Sequence, residues 1–133
     1  MTDAFVLYAD GASRGNPGPA AIGAVLYDPE GEVVAEVSEA IGTETNNVAE
    51  YRALVAGLEC ALDLGVERLR VCLDSLLLVR QVRGEYKVKA PGLRPLYRQA
   101  VRLSGEFAAF SIEHVRREKN TVADGLANAA LDR

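Results

Sequence analysis

Two apolar runs stand near the start of the chain, AFVLYA at residues 4 to 9 and AAIGAVLY at residues 20 to 27, and both have the length and residue types of strands. A turn signal, DPEG at Asp28 to Gly31, leads to a third and more polar strand, EVVAEVSEA at residues 32 to 40. Short connections between the three predict an antiparallel meander. Beyond the polar stretch GTETNN, the residues Val48, Tyr51, Val55, Leu58 and Leu62 recur at helical spacing, so residues 48 to 65 read as a helix with Gly65 as its stop signal. VERLRVCL (66–73) reads as a strand and SLLLVRQVRG (75–84) as a short helix. GLRPLYRQAVRLSGEF (92–107) reads as a loop and helix, AFSIEHV (109–115) as a strand and TVADGLANAAL (121–131) as a last helix. The order is βββαβα(α)βα, without a repeat, a low-complexity tract or a linker.

This pattern constrains topology. A strand-helix-strand passage of such length requires parallel strands and a right-handed crossover. The strand ending at Asp74 is therefore expected beside, and parallel to, the one ending at Asp10 or its neighbour. In open α/β sheets, sites form beyond the carboxyl ends of such strands. The connection after Asp10 holds Gly11, Gly15, Asn16, Pro17 and Gly18, and its simplest reading is a hairpin with an Asp-Gly turn.

A length of 133 residues, 49% of them hydrophobic and 26% charged, suits one domain, residues 1–133, with a core of its own. The N-terminus has no basic n-region, its apolar run is too short for a signal peptide, and no stretch approaches the roughly 20 apolar residues of a spanning helix. The expectation is a cytoplasmic protein with no membrane partner. Cys60 and Cys72 lack metal-site or redox spacing and read as buried free thiols.

A net charge of -4 argues at first against a nucleic-acid partner, but the charge is unevenly spread. Residues 1 to 79 carry 13 acidic and 4 basic side chains, and residues 80 to 133 carry 6 acidic and 11 basic. The basic part is densest at Arg80, Arg83, Lys87, Lys89, Arg94, Arg98 and Arg102, where phosphates of a polyanion would dock.

Four acids draw attention by position: Asp10 and Asp74 at the ends of strands, Glu50 in the first turn of the long helix, and Asp124 in the first turn of the last. Each has an ordinary explanation. Asp10 would serve the turn, Asp74 would cap the next helix, Glu50 would complete a capping box with Asn47, and Asp124 would favour a helix N-terminus. The helical stripes argue otherwise. Glu50 shares one with Leu54, Gly57 and Ala61, and Asp124 shares one with Ala127 and Leu131, so both acids point toward packed surface. Buried carboxylates repel one another at a cost of several kcal/mol unless something compensates. A divalent cation would do so, and hard oxygen ligands without a Cys/His cluster select Mg2+ or Mn2+, two ions of which such a group can hold for displacement at phosphorus.

DGASRGNPG, TNNVAEYRAL, DSLLLV and NTVADGLANAA, in that order and on those elements, resemble the ribonuclease H family, type 1, in its compact bacterial and archaeal-like branch. The resemblance covers essentially the whole chain. It implies an α/β fold with a five-stranded mixed sheet of order 3-2-1-4-5 flanked by helices, and endonucleolytic hydrolysis of the RNA strand of RNA/DNA hybrids. By motif, Asp10, Glu50, Asp74 and Asp124 match the family's catalytic, metal-binding acids. The implied mechanism uses water as nucleophile, with one ion held by Asp10 and Asp124 on the water's side. The other, held by Asp10, Glu50 and Asp74, lies on the side of the leaving 3′ oxygen, and the products carry 5′-phosphate and 3′-hydroxyl ends. The glycine-rich stretch from Gly11 would let backbone approach the hybrid, while Asn16, Asn46 and Asn47 match positions at the nucleic-acid surface, where the 2′-hydroxyl tells RNA from DNA.

The chain also departs from the family. Its loop before the last acid is the short RREKN, without the histidine of some relatives, and His114 falls earlier, where a structural role is expected. Arg116, Arg117, Glu118 or Lys119 would have to assist instead, and spacing does not choose among them. A basic helical protrusion is absent; GEYKVKAPG occupies its place, with Tyr86 as a stacking ring and Lys87 and Lys89 as phosphate contacts. Leu76 stands where a polar residue is often found. The competing readings are a nuclease-inactive hybrid-binding module and a related nuclease acting also on double-stranded RNA; no obligatory protein partner is evident.

Overall fold

A computed structural model describes residues 3–133. Five strands form one sheet: β1 (Phe5–Ser13), β2 (Gly18–Tyr27), β3 (Val33–Glu44), β4 (Arg68–Leu73) and β5 (Ala109–His114), in the order β3-β2-β1-β4-β5. β1 to β3 pair antiparallel as the meander expected, whereas β4 runs parallel to both β1 and β5. Among the described residues four α-helices complete the fold: α1 (Asn46–Asp63), α2 (Leu76–Val82), α3 (Arg94–Ser104) and α4 (Thr121–Leu131). The expected sheet order is the one observed.

Two glycines show how the helices are layered. A Cβ at Gly11 on β1 would fall on the backbone of Ala49 and Glu50 in α1, while one at Gly23 on β2 would lie 2.6 Å from the Ala127 nitrogen of α4. Gly23 pairs with Asp10, the neighbour of Gly11. Since successive side chains alternate across a sheet, α1 and α4 cover opposite faces, and Asp10 looks toward the α4 side. The α1 face carries most of the core: Leu7, Tyr51, Leu54, Leu58 and Leu78 are fully buried, each side chain stabilising the fold by about 1.5–3 kcal/mol relative to exposure. Gly57 lets Leu7 approach so closely that an added Cβ would sit 2.7 Å from its Cδ2. Tyr51 keeps its polar end satisfied in this core by donating to Gln81 Oε1 at 2.7 Å. Among the described residues, no helix is long and apolar enough to cross a membrane.

Several boundaries depart from the sequence reading. β1 does not end at Asp10 but runs on through Gly11 and Ala12 to Ser13, because β2 continues to pair with it as far as Ala20. The predicted hairpin exists, but Asp10 and Gly11 lie within its strand and the connection spans residues 14–17, containing a cis Asn16–Pro17 peptide. β3 extends to Glu44 rather than to residue 40. α1 starts two residues early because the Thr45 hydroxyl accepts the Val48 N–H at 3.3 Å, which makes Thr45 its N-cap. Glu50 therefore lies in the second turn, and no capping box with Asn47 forms. Ser75, not Asp74, caps α2, accepting from the Leu78 N–H. Gly65 does end α1, with φ +76 and its N–H on the Leu62 carbonyl. Cys72 is buried and free as expected; Cys60 is free but only half-buried.

Candidate active site

The site arises where the sheet comes apart. The parallel ladder between β1 and β4 has its last rung at Ala9 and Leu73. Past it β1 stays with β2 while β4 turns into α2, so Asp10 and Asp74 occupy the opening between two diverging chains. α1 brings Glu50 in from one face and α4 brings Asp124 from the other. Asn120, 1% exposed at the base of α4, donates from Nδ2 to the Ala9 carbonyl at 3.1 Å, and its main-chain carbonyl accepts the Asp124 N–H at 3.1 Å. One buried residue, through its side chain and its main chain, thus ties the residue before Asp10 to the turn that carries Asp124.

One carboxylate oxygen each from Asp10, Glu50 and Asp74 lies within 4.8 Å of the other two. Opposite ligands of an octahedral ion with bonds of about 2.1 Å stand about 4.2 Å apart, so the three oxygens match such an ion after a small contraction. Asp124 is outside this triplet, but its carboxylate stands close enough to Asp10 to raise the Asp10 pKa. Asp10 is consequently shared between two carboxylate groupings.

The electrostatics mark the same point. Asp10 is only 8% exposed. Burial, then the charge of Asp74 and the contact with Asp124, push its pKa up to about 8. Glu50 is pushed up to about 7 by burial, against the pull of a hydrogen bond from Ser75, with Asp74 raising it further and the Arg117 guanidinium lowering it. Two acids so reluctant to ionise lack a counter-charge, and a hard divalent cation supplies one through an all-oxygen donor set.

The four acids line one open cleft of about 420 Å³ together with Gly11, Asn46, Asn47, Arg117 and Asn128. Asn46 accepts the Ser13 N–H on Oδ1 at 3.1 Å, which leaves its amide NH2 free to donate. Asn16 stands outside the cleft and braces it, its Oδ1 accepting the Asn46 N–H at the start of α1 at 3.1 Å. Gly11, read as a place for backbone to meet the hybrid, has a packing reason as well, since only a hydrogen fits against α1 there. Lys87 and Lys89 are exposed on the connection between α2 and α3, away from the acids. Arg94 fastens that connection by donating to the carbonyls of Val88 and Lys89. The Tyr86 ring is less available for stacking than expected: Arg80 lies 5.3 Å from its centroid and also donates to its hydroxyl at 2.7 Å. His114 ends β5 and does not line the cleft. Of the four charged candidates in RREKN, Arg117 lines the cleft. Asn128 is a site residue the sequence reading did not name; its signal was the four-residue spacing from Asp124.

Comparison with known proteins agrees with this geometry. Residues 8–130 match the family described as Reverse transcriptase-like. RNase H1 from the archaeon Halobacterium salinarum NRC-1 superimposes with a TM-score of 0.94 at 47% identity, covering 97% of this chain and 98% of that one. The N-terminal RNase H domain of a Mycobacterium tuberculosis protein gives 0.94 at 51% identity over 97% and 99%. LC11-RNase H1, solved in complex with an RNA/DNA hybrid, gives 0.91 at 43% identity over 96% of each chain. The chain spans 35% of the length of a bifunctional M. tuberculosis relative, to which it is 52% identical, and 63% of the H. salinarum ribonuclease HI, to which it is 49% identical. A mixed sheet of this order with carboxylates at the parting of β1 and β4 is a ribonuclease H-like domain. The chain belongs to the ribonuclease H family, in its compact type 1 form.

Proposed function

We propose that this chain is an endoribonuclease that hydrolyses the RNA strand of RNA/DNA hybrids with the help of two divalent ions, Mg2+ or Mn2+, leaving 5′-phosphate and 3′-hydroxyl ends. The observation that carries the reading is the convergence of Asp10, Glu50 and Asp74 within 4.8 Å in a cleft that Asp124 also lines. Asp10, Glu50 and Asp74 would hold one ion, and Asp10 with Asp124 the other. When bound, such ions act as Lewis acids that generate a nucleophile from water near neutral pH and stabilise both oxygens of an in-line displacement.

The remaining tasks fall to the protein. Asp10, shared by both groupings, fixes their relative placement, and Asn120 anchors that placement to the sheet. The amides of Asn46 and Asn47, which line the same cleft as the acids, suit the donor and acceptor character of a ribose 2′-hydroxyl. Gly11 lets the rim close against α1, and Asn16 holds it there. Lys87 and Lys89 fit phosphates farther along the duplex, positioning it without reading sequence. Arg117 faces the same cleft with a fork of donors matched to a phosphate.

One sheet and one apolar core run through the described residues, which supports residues 1–133 acting as a single catalytic domain. The free thiols of Cys60 and Cys72 suit a reducing compartment such as the cytoplasm. The test is cleavage of a labelled RNA/DNA hybrid, with DNA duplex and double-stranded RNA as controls, in Mg2+ or Mn2+, for the wild type and Asp10→Asn. The expected result is cutting of the RNA strand of the hybrid alone, lost in the variant. Binding of hybrid without cleavage in either metal would overturn the assignment in favour of a binding module, and equal cutting of double-stranded RNA would widen the substrate class.

A further inference from the structure

The four acids are not held alike. Asp10 is buried, whereas Glu50, Asp74 and Asp124 are half-buried, so specific contacts help to aim their carboxylates. For Asp124 one such contact comes from Asn128, four residues on and therefore on the same helix face. Its Nδ2 donates to Asp124 Oδ1 at 3.2 Å and to the Asp124 carbonyl at 3.0 Å. An amide in this position has two orientations, one of which would turn its oxygen toward the carboxylate and repel it. Arg14, from the connection between β1 and β2, selects the other. Its Nη2 stands 3.5 Å from Asn128 Oδ1 while pairing with Asp132 at 2.7 Å, so positive charge faces the amide oxygen and leaves the NH2 for Asp124. A hairpin and a helix end more than 110 residues apart in sequence thus meet behind the fourth acid.

We propose that Asn128, oriented by Arg14, is a positioning residue that aims the Asp124 carboxylate so that the Asp10–Asp124 pair can take a divalent cation. This rests on the reading of Asp124 as a metal ligand. Hydrogen bonds behind metal ligands typically set affinity or activity by about 10–100-fold, and here only the Asp124 side of the site depends on Asn128. The triplet of Asp10, Glu50 and Asp74 does not.

The experiment uses the full chain and Asn128→Leu, which keeps the side-chain size, favours the helix and removes the amide; Arg14→Gln is the second variant. The 13C resonance of the Asp124 carboxylate is followed during Mg2+ titration of the hybrid-free protein, and cleavage of a hybrid is measured against Mg2+ concentration. Both variants are expected to need about tenfold more Mg2+ for the same movement of the resonance and for half-maximal rate, with KM for the hybrid at saturating Mg2+ unchanged. A wild-type Mg2+ dependence of resonance and rate in Asn128→Leu overturns the proposal, and so does a raised KM at unchanged Mg2+ dependence, which would place Asn128 on the substrate. Asp124→Asn separates the two levels: if it cleaves with wild-type Mg2+ dependence, the reading of Asp124 itself fails, whereas if it is inactive while Asn128→Leu is unaltered, only the positioning role fails.

Discussion

Asp10→Asn should make the metal-free protein more stable, and more so as pH rises. A carboxyl whose folded pKa is raised binds its proton more tightly in the native than in the unfolded chain, so it contributes instability that grows as pH climbs from the unfolded value toward the folded one. For Asp10 that window runs from 3.8 to about 8. At about 1.4 kcal/mol per pH unit, complete expression of the shift would cost the wild type about 5 kcal/mol at pH 8 but only about 2 kcal/mol at pH 5. Neighbouring acids relax and take up protons in turn, so we expect about 2–4 kcal/mol of stabilisation in the variant at pH 8, shrinking by at least half at pH 5. The assay is urea unfolding of both proteins in EDTA at the two pH values. A saturating divalent cation should then raise the wild type by about 2–3 kcal/mol at a hundredfold excess over its dissociation constant, and leave Asp10→Asn nearly unmoved. The reasoning is refuted if the variant is no more stable than the wild type at pH 8 in EDTA, or if its advantage is the same at both pH values.

Further outcomes follow from single contacts. Gly11→Ala forces a Cβ onto the Ala49 and Glu50 backbone, so thermal unfolding should show a loss of at least about 2 kcal/mol, with cleavage falling even where the protein remains folded. Tyr51→Phe leaves Gln81 Oε1 without its 2.7 Å donor inside the core, and chemical denaturation should register a loss of about 1–3 kcal/mol without a change in metal dependence. Arg117→Gln removes the cation that lowers the Glu50 pKa; carboxyl NMR of the metal-free protein should place Glu50 above its wild-type titration midpoint, and KM for hybrid should rise.

The acids and the order of the elements were legible because each depends on local pattern. Asp10, Glu50, Asp74 and Asp124 each stand beside a strand or helix signal that a single segment discloses, and the strand-helix-strand passage leaves few topologies open. What the sequence concealed depends on partners far away. Gly11, Ala12 and Ser13 have loop-like composition, yet they are strand because Ala20 to Ile22 pair with them. The capping roles given to Asn47 and Asp74 belong to Thr45 and Ser75, a shift of one or two residues among side chains of equal capping ability. Arg117 could not be told from its charged neighbours until the 3-10 turn over Arg117–Lys119 aimed it into the cleft. Asn128 and Arg14 meet across 114 positions, a proximity no local pattern encodes.

The parting of β1 and β4 also bears on how the site comes into being. β1 to β3 pair with near neighbours in sequence, so the meander and α1 can form early, carrying Asp10 and Glu50. Asp74 joins only when β4 crosses to the far side of β1, and Asp124 only when α4 docks through Gly23 and the Ser38 hydroxyl, which donates to the Leu126 carbonyl across 88 positions. Contacts of such sequence separation are slow to close. A chain whose last helix has not docked therefore lacks Asp124 from the acid constellation.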